Sequence, residues 1–330
     1  MERKTNADEV RKILPATVIK DFDDIVFQKV LGASKHIKMI GEMIEAICIE
    51  DCKSEMSPTV FVEHIHLLGN FFIQTRGEAS QAITNAIYLM IDGMEDDIEN
   101  IDIKAITQRV IKQKNTYFTG AEKNMKQVVK YGVEIANRCE KIMIYDYSST
   151  VEAILCNVED AKTIYIAESR AINGGYPFVK PCLDKGHRIK FFPDASIMYY
   201  VKDCDLVFMG VETFYPDGTG FNTIGSDMVA LTCNYYKIPL YMVTPLIKLD
   251  IRPVYGKRKE LVINDLSDKL SKVATPENHA TEIDYRTPEL IGVCPEHIHS
   301  FITEKGIIPS TQMYDISIDY IRQLRGEDYV

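Results

Sequence analysis

Two carboxylates, Asp146 and Glu212, stand shortly after apolar runs, in positions where a side chain can do chemistry. Asp146 follows Lys141–Tyr145, and Glu212 follows Leu206–Met209 and Gly210. Such runs are typical of buried parallel strands, and ligands bind where those strands end. Two carboxylates facing one cleft would raise one pKa and supply an acid and a base for moving protons. The alternative, which the local pattern alone favours, is that Asp146 caps a helix and Glu212 pairs with a cation.

Hydroxyl and guanidinium groups accompany these carboxylates in the sequence. Ser148 and Ser149 stand at the start of a predicted helix, where they either cap the helix or help it to bind a phosphate. Arg170 follows another apolar run and could clamp a phosphate or a carboxylate, or pair with the neighbouring Glu168. Arg76 lies between two helical stretches and could reach the same cleft. A single arginine is usually a solvated surface residue, so neither arginine defines a site by itself.

The elements that must position these side chains change their apolar period near residue 140. Before it, apolar residues recur every three or four positions, which indicates helices. After it, short apolar runs alternate with helix-length segments, which indicates a parallel sheet with helical crossovers. The predicted strands are Lys141–Tyr145, Thr163–Ala167, Arg188–Phe192, Leu206–Met209 and Leu240–Val243, and the helices between them are Ser149–Asn157, Tyr176–Lys185, Ala195–Lys202 and Ser226–Tyr236.

The pattern predicts an α/β chain with two domains, which is the ordinary expectation for 330 residues. A helical N-terminal domain is predicted over residues 1–138. A Rossmann-like domain with a doubly wound parallel sheet is predicted over residues 139–330, and it carries the ligand cleft. Residues 257–280 are predicted to form a loop, and a last helix is predicted at Glu296–Lys305.

The composition argues against several functional classes. The net charge of −10 argues against a nucleic-acid-binding or anionic-membrane surface, because such surfaces need clustered lysine and arginine. The N-terminus lacks the apolar core of a secretory signal, and no window reaches the ~18 apolar residues of a membrane span. A cytoplasmic protein is therefore expected. The eight cysteines lack the spacing of a disulfide scaffold or a zinc site.

Two histidine pairs look like metal motifs but lack the geometry for one. His64 and His66, like His297 and His299, are separated by one residue. On the helices predicted there, side chains at that spacing point to different faces. The chain also lacks the glycine-rich fingerprints of dinucleotide and nucleoside-triphosphate sites. No metal and no other cofactor is therefore expected.

Taken in order, motifs along nearly the whole chain resemble those of the initiation factor two-B-like proteins. That family contains methylthioribose-1-phosphate isomerase, ribose-1,5-bisphosphate isomerase and the regulatory α, β and δ subunits of the eukaryotic exchange factor for initiation factor two. The resemblance implies a helical domain, a Rossmann-like domain and pairing of two copies through the latter. The motifs are Leu31-Gly32-Ala33, Thr75-Arg76, Tyr147-Ser148, Glu168-Ser169-Arg170, Gly210-Val211-Glu212, Asn222-Thr223-Ile224-Gly225, Asp284-Tyr285-Arg286-Thr287-Pro288 and the tail T-E-K-G-I-I-P at 303–309.

The resemblance also implies that Asp146 and Glu212 are the catalytic residues. In the isomerases of the family a cysteine stands at the position of Asp146 and an aspartate at that of Glu212. This chain has Leu31 where the family has an arginine, and Thr223 where the family has a lysine. The implied substrate or phosphate contacts are Gly32, Ala33, Arg76, Ser148, Ser149, Arg170, Asn222, Thr223 and Lys248.

Two functions fit these departures. One is an aldose–ketose isomerase acting on a phosphorylated sugar, with Asp146 and Glu212 in place of the thiol–carboxylate pair. The other is a non-catalytic regulatory subunit that binds a sugar phosphate or a nucleotide, which the loss of the thiol and of two cations would suit. An ionisable group is kept at both catalytic positions, so the isomerase is preferred. Either function implies a phosphorylated small molecule as ligand and a homodimer, or a higher oligomer, formed through the Rossmann-like domain.

Overall fold

The computed structural model describes residues 6–30, 32–269 and 283–325. By the packing of its backbone the chain divides into two compact units. The first is built from residues 1–123, 247–249 and 320–330, and the second from residues 124–246 and 250–319. The predicted domain boundary after residue 138 stays a prediction.

The first unit is helical, as the apolar spacing predicted. The ring of Phe22 packs against those of Phe71 and Phe72, with centroids 5.2 and 5.7 Å apart, at the centre of its core. Ser57 caps one helix by accepting a hydrogen bond from the Val60 N–H. The described helices are α1 (Ala7–Ile13), α2 (Ala16–Val26), α3 (Ala33–Lys53), α4 (Pro58–Phe72), α5 (Gln81–Ile91) and α6 (Ile103–Ala136), the last of which continues into the second unit.

Five predicted strands lie side by side in the large sheet of the second unit. These are β1 (Lys141–Tyr145), β2 (Thr163–Ala167), β3 (Arg188–Phe192), β4 (Leu206–Gly210) and β7 (Leu240–Val243), so the prediction is confirmed, with β4 one residue longer. The sheet also contains β11 (Ser300–Thr303) and β12 (Gly306–Pro309). Within the described residues its order is β12-β11-β7-β4-β1-β2-β3, and every neighbouring pair is parallel except β11 with β12.

Helices connect these strands in the second unit. They are α7 (Ser149–Asn157), α8 (Val179–Asp184), α9 (Ile197–Val201) and α10 (Ser226–Tyr236), and α11 (Met313–Arg325) follows the last strand. The predicted bounds of α7 and α10 are confirmed. The segments predicted at Tyr176–Lys185 and Ala195–Lys202 each begin with a 3-10 turn before a short α-helix. None of the described helices is both long and apolar enough to span a lipid bilayer.

The predicted helix at Glu296–Lys305 is wrong. A 3-10 turn at Pro295–His297 leads instead into β11, which pairs in parallel with β7, and the chain then turns back into β12. Phe301 and Ile302 are fully buried on this strand, so pairing with β7 outweighs the weak local signal for a helix. His297 and His299 consequently do not lie on an α-helix.

The sequence did not predict two small sheets that the structure contains. β5 (Thr213–Phe214), β6 (Gly220–Thr223) and β10 (Leu290–Val293) form an antiparallel sheet in the order β10-β6-β5. β8 (Ile263–Asp265) pairs with β9 (Arg286–Pro288). The loop predicted over 257–280 is therefore wrong at β8, and its residues from 270 onward lie outside the described residues. The three-stranded sheet matters because β6 carries Asn222 and Thr223.

Candidate functional site

Asp146 and Glu212 follow neighbouring strands of the large sheet. β1 and β4 pair in parallel with Tyr145 opposite Met209, so both carboxylates leave the sheet at the same edge. From β1 the chain builds outward through β2 and β3, and it then returns to place β4 on the other side of β1. Such a reversal of strand order is where open α/β sheets bind ligands.

The Asp146 carboxylate hydrogen-bonds to a residue of β6 and does not cap the helix that follows it. Thr223 Oγ1 donates a hydrogen bond of 2.7 Å to Asp146 Oδ2, and only 7% of Asp146 is exposed. The cap of α7 is Ser148, whose hydroxyl accepts a hydrogen bond from the Val151 N–H at 3.4 Å. The alternative that Asp146 serves as the cap of α7 is therefore wrong.

The end of β6 is tied to the end of β1, which fixes Thr223 beside Asp146. Tyr145 Oη donates a 2.7 Å hydrogen bond to the Ile224 carbonyl oxygen. Gly225 has a φ of +98°, and a Cβ there would lie 2.3 Å from Tyr145 Oη. Only glycine fits that combination of backbone conformation and close approach.

Burial raises the pKa of the Asp146 carboxyl above its ordinary value. The negative charge of Glu212 raises this pKa further, while Thr223, the Tyr147 N–H and the Ser169 hydroxyl lie close enough to lower it. Burial dominates, because the charged form has lost most of its water. Asp146 is therefore suited to hold a proton at a pH where an exposed aspartate has lost it, as a general acid must.

Asp146 Oδ1 and the nearby Ser169 Oγ are buried and have no hydrogen-bonding partner among the described residues. The same holds for Asn222 Nδ2 on β6. Leaving such a group unpaired costs about 1–3 kcal/mol, so native proteins rarely do it without a reason. Asp146 and Ser169 also adopt left-handed backbone conformations, with φ of +61° and +49°. Orphaned polar atoms and strained backbone together are typical of a ligand site.

Glu212 is half-buried and is held by the small sheet. Its backbone N–H donates to the Phe221 carbonyl oxygen at 2.9 Å, which fixes it at the start of the β5–β6 hairpin. Its charge also reaches Lys259, a residue that sequence reasoning missed. Burial lowers the pKa of the Lys259 ammonium, while Glu212, Glu289 and Asp250 raise it. A cation thus accompanies Glu212 at the site.

The other predicted contacts in the second unit stand around this centre. Ser148 and Ser149 lie at the N-terminus of α7, and Ser149 is exposed. A Cβ on Gly210 would lie 2.6 Å from Ser148 Cβ, so β4 packs directly against this helix start. Arg170 is exposed, and its Nη1 lies 3.5 Å from Glu168 Oε2.

The remaining predicted contacts belong to the first unit. Gly32 and Ala33 lie at the start of α3, while Leu31 lies outside the described residues. Arg76 lies on a π-helical turn, Ile73–Gly77, and its Nη2 donates to the carbonyl oxygens of Ile25 and Val26 at the end of α2. Lys248 ends a 3-10 turn. Asn85 Nδ2 donates hydrogen bonds to the carbonyl oxygens of the two residues beside it, Ile247 at 3.0 Å and Leu249 at 2.9 Å. Their role as substrate contacts stays a prediction.

Both residues of the first histidine pair contact carboxylates at hydrogen-bonding distance. His64 Nδ1 lies 2.7 Å from Asp51 Oδ2, and His66 Nε2 contacts Glu95 Oε1. Among the described residues, no three His, Cys, Asp or Glu side chains are placed to hold one metal ion.

Replacing Gly174 by alanine is expected to disturb Asp146. The added Cβ would lie 2.0 Å from Asp146 Oδ1 and 3.0 Å from the Tyr147 nitrogen, so the carboxylate must turn away from Thr223. Overpacking of this kind lowers the free energy of unfolding by about 1–3 kcal/mol. Thermal unfolding checks this against Gly120→Ala, where nothing lies within 4 Å of the new Cβ. Equal stability of both variants would contradict the placement of Asp146.

A sequence model of the initiation factor 2 subunit family matches residues 33–310. The chain belongs to this family. Ribose 1,5-bisphosphate isomerase of Methanocaldococcus jannaschii is 22% identical over 304 residues, covering 91% of this chain and 94% of that protein. A putative translation initiation factor eIF-2B subunit 2-like protein of Pyrococcus furiosus is 23% identical, covering 90% and 98%.

Solved structures show the same fold. The translation initiation factor eIF-2B of Pyrococcus horikoshii superimposes with a TM-score of 0.69 at 16% identity, over 90% of this chain and 98% of that one. The predicted architecture, a helical N-terminal region followed by a Rossmann-like parallel sheet, is thereby confirmed. The similar proteins thus include both isomerases and translation factor subunits. The similarity alone does not choose between these two functions, so the choice depends on the geometry of the site.

Proposed function

We propose that this chain is an aldose–ketose isomerase acting on a phosphorylated sugar, with Asp146 as acid and Glu212 as base. The observation that carries the proposal is the buried Asp146 carboxyl, with its raised pKa and its unpaired Oδ1, near the unpaired Ser169 hydroxyl. A sugar presents hydroxyl groups that can pair with both. The proposal is supported by relatives named ribose 1,5-bisphosphate isomerase, which match nearly the whole chain.

The reaction needs one proton delivered and one removed. Opening the ring breaks the bond between C1 and the ring oxygen, and that oxygen takes a proton, which Asp146 supplies. The hydrogen on C2 then moves to C1, and the C2 hydroxyl loses its proton to Glu212 as the ketone forms. The two carboxyls end with exchanged protonation states, which a proton transfer through solvent resets.

The proposal is tested with a panel of pentose 1-phosphates and ribose 1,5-bisphosphate. We expect at least one member to be converted to its ketose and to raise the melting temperature of the protein. Stabilisation by a sugar phosphate or a nucleotide without any ketose from the panel would overturn the isomerase. That result would favour the regulatory subunit, as the similarity to the Pyrococcus furiosus factor would suggest.

We further propose that two copies pair through the helices on one face of the second unit. α9 and α10 pack against each other and expose large apolar side chains that water solvates poorly. A second copy offers the same surface and would cover them, as a two-fold dimer requires. The exposed residues are Met198, Tyr199, Met228, Leu231 and Tyr235, with exposed fractions between 42% and 68%.

Leu231→Asp is expected to shift the dimer towards monomer. Leu231 is 57% exposed, so the charge costs little in the monomer but is desolvated when two copies meet. Sedimentation across a protein concentration series measures the dissociation constant, which we expect to rise by about tenfold or more. Leu183→Asp makes the same change on α8, at 56% exposure, and serves as the control. A monomeric wild-type protein, or equal effects of both variants, would contradict the proposed face.

A further inference from the structure

A cavity of about 320 Å³ lies in the second unit. It is lined in part by Arg170 and Ile224, which directly follow Ser169 and Thr223 in the chain. Ser169 and Thr223 both act on the Asp146 carboxyl. The cavity therefore adjoins the two segments that contact the acid. Its volume falls in the range of about 300–1,000 Å³ that small-molecule sites occupy.

The cavity concentrates positive charge in an acidic protein. Arg170, Lys269 and Arg286 line it, and Asp284 is the one carboxylate among its described lining residues. Lys269 Nζ donates to the Ala171 carbonyl oxygen, which holds the ammonium at the rim. The whole chain carries a net charge of −10, so this local excess of cations is unlike the average surface.

Asp284 orients Arg286 and uses only part of its N–H donors. It accepts hydrogen bonds from Arg286 Nε at 2.9 Å and Nη2 at 2.8 Å. The guanidinium lowers the pKa of Asp284 to about 2, so this pair stays ionised throughout the neutral range. Arg286 Nη1 donates to no described residue, and Arg170 meets Glu168 only at 3.5 Å. Both guanidinium groups therefore keep N–H donors for a ligand.

We propose that this cavity binds the phosphate group of the sugar-phosphate substrate through Arg170, Lys269 and Arg286. The inference rests on the proposed function, because it places the phosphate beside Ser169 and Thr223, which contact the acid that acts on the same molecule. Guanidinium groups suit this role because their planar N–H pairs match two phosphate oxygens at once. Ile224 and Leu266 form an apolar wall that lowers the competition from water.

Arg286→Gln tests the assignment by equilibrium binding of ribose 1-phosphate, ribose 5-phosphate and ribose. Loss of a charge-assisted contact is expected to weaken binding of at least one phosphate ester by about tenfold or more, with ribose unaffected. Arg170→Gln should act in the same direction. Arg188→Gln is the matched control, because Arg188 is exposed at the amino end of β3, away from the edge that carries Asp146.

The variants also separate this inference from the proposed reaction. Arg286 is 68% exposed, so its replacement should fold, and a melting curve confirms that. Weaker binding by Arg286→Gln in a protein without turnover would support the phosphate site and reject the isomerase. Turnover with unchanged KM and unchanged binding in Arg286→Gln would reject the phosphate site and leave the isomerase standing. Failure of the wild-type protein to bind either phosphate ester more tightly than ribose would also overturn the inference.

Discussion

Replacing Asp146 by asparagine is expected to lower kcat by about two to four orders of magnitude, because the reaction loses its general acid. The same change is expected to stabilise the protein at neutral pH. Burial raises the pKa of Asp146 in the folded state above its value of 3.8, so ionisation works against folding. The stability that the protonated carboxyl provides is complete below pH 3.8 and is lost as the pH rises through the raised pKa.

Thermal unfolding and kcat, each measured between pH 4 and pH 8, check both parts of this prediction. The stability advantage of Asp146→Asn should grow with pH, and each pKa unit corresponds to about 1.4 kcal/mol. Asp160→Asn removes an exposed carboxylate and should change neither quantity. A variant that is less stable than the wild type at every pH would show that the ionised carboxylate holds the fold together, contrary to the account.

Replacing Glu212 by glutamine is expected to lower kcat by a similar factor of about 10² to 10⁴, because the base is lost. Stabilisation by the sugar phosphate should persist, since glutamine keeps the shape of the side chain and a hydrogen-bonding oxygen. A single-turnover assay and a melting curve with and without ligand measure these two effects.

Glu289→Gln is the matched control for Glu212→Gln. Glu289 also raises the pKa of Lys259, but it is exposed and has no part in the raised pKa of Asp146. We expect kcat within a few-fold of the wild type. Equal losses in the two variants would mean that the charge of Lys259, rather than a base at Glu212, governs turnover.

The sequence predicted the sheet well because its signals are local. Four of the five predicted strands contain an unbroken run of four apolar residues, and Ser148 is a typical N-cap residue in front of α7. The apparent helix at Glu296–Lys305 failed for the opposite reason. Its short apolar core becomes a strand only because β7 offers an open edge, which no local pattern reveals.

The site was predicted in part, and the missing part is non-local. The order of motifs placed Asp146 and Glu212 at one edge of the sheet, and adjacent strands bring them there. The contact of Thr223 with Asp146 joins residues 77 positions apart, across a small sheet that sequence patterns did not suggest. Lys259 lies in the segment predicted to be a loop, and Arg286 lies in a motif to which the sequence assigned no role. Only the folded chain brings these two residues towards the site.

The most direct test of the account follows the reaction itself by ¹³C NMR. Pentose 1-phosphates and ribose 1,5-bisphosphate labelled at C2 are incubated with the wild-type protein and with Asp146→Asn. The account predicts that the C2 signal of at least one substrate moves to the position of a ketone with the wild type, and at least 100-fold more slowly with the variant. Unchanged C2 signals across the panel, under conditions where the wild-type protein is stabilised by the same compounds, would contradict it.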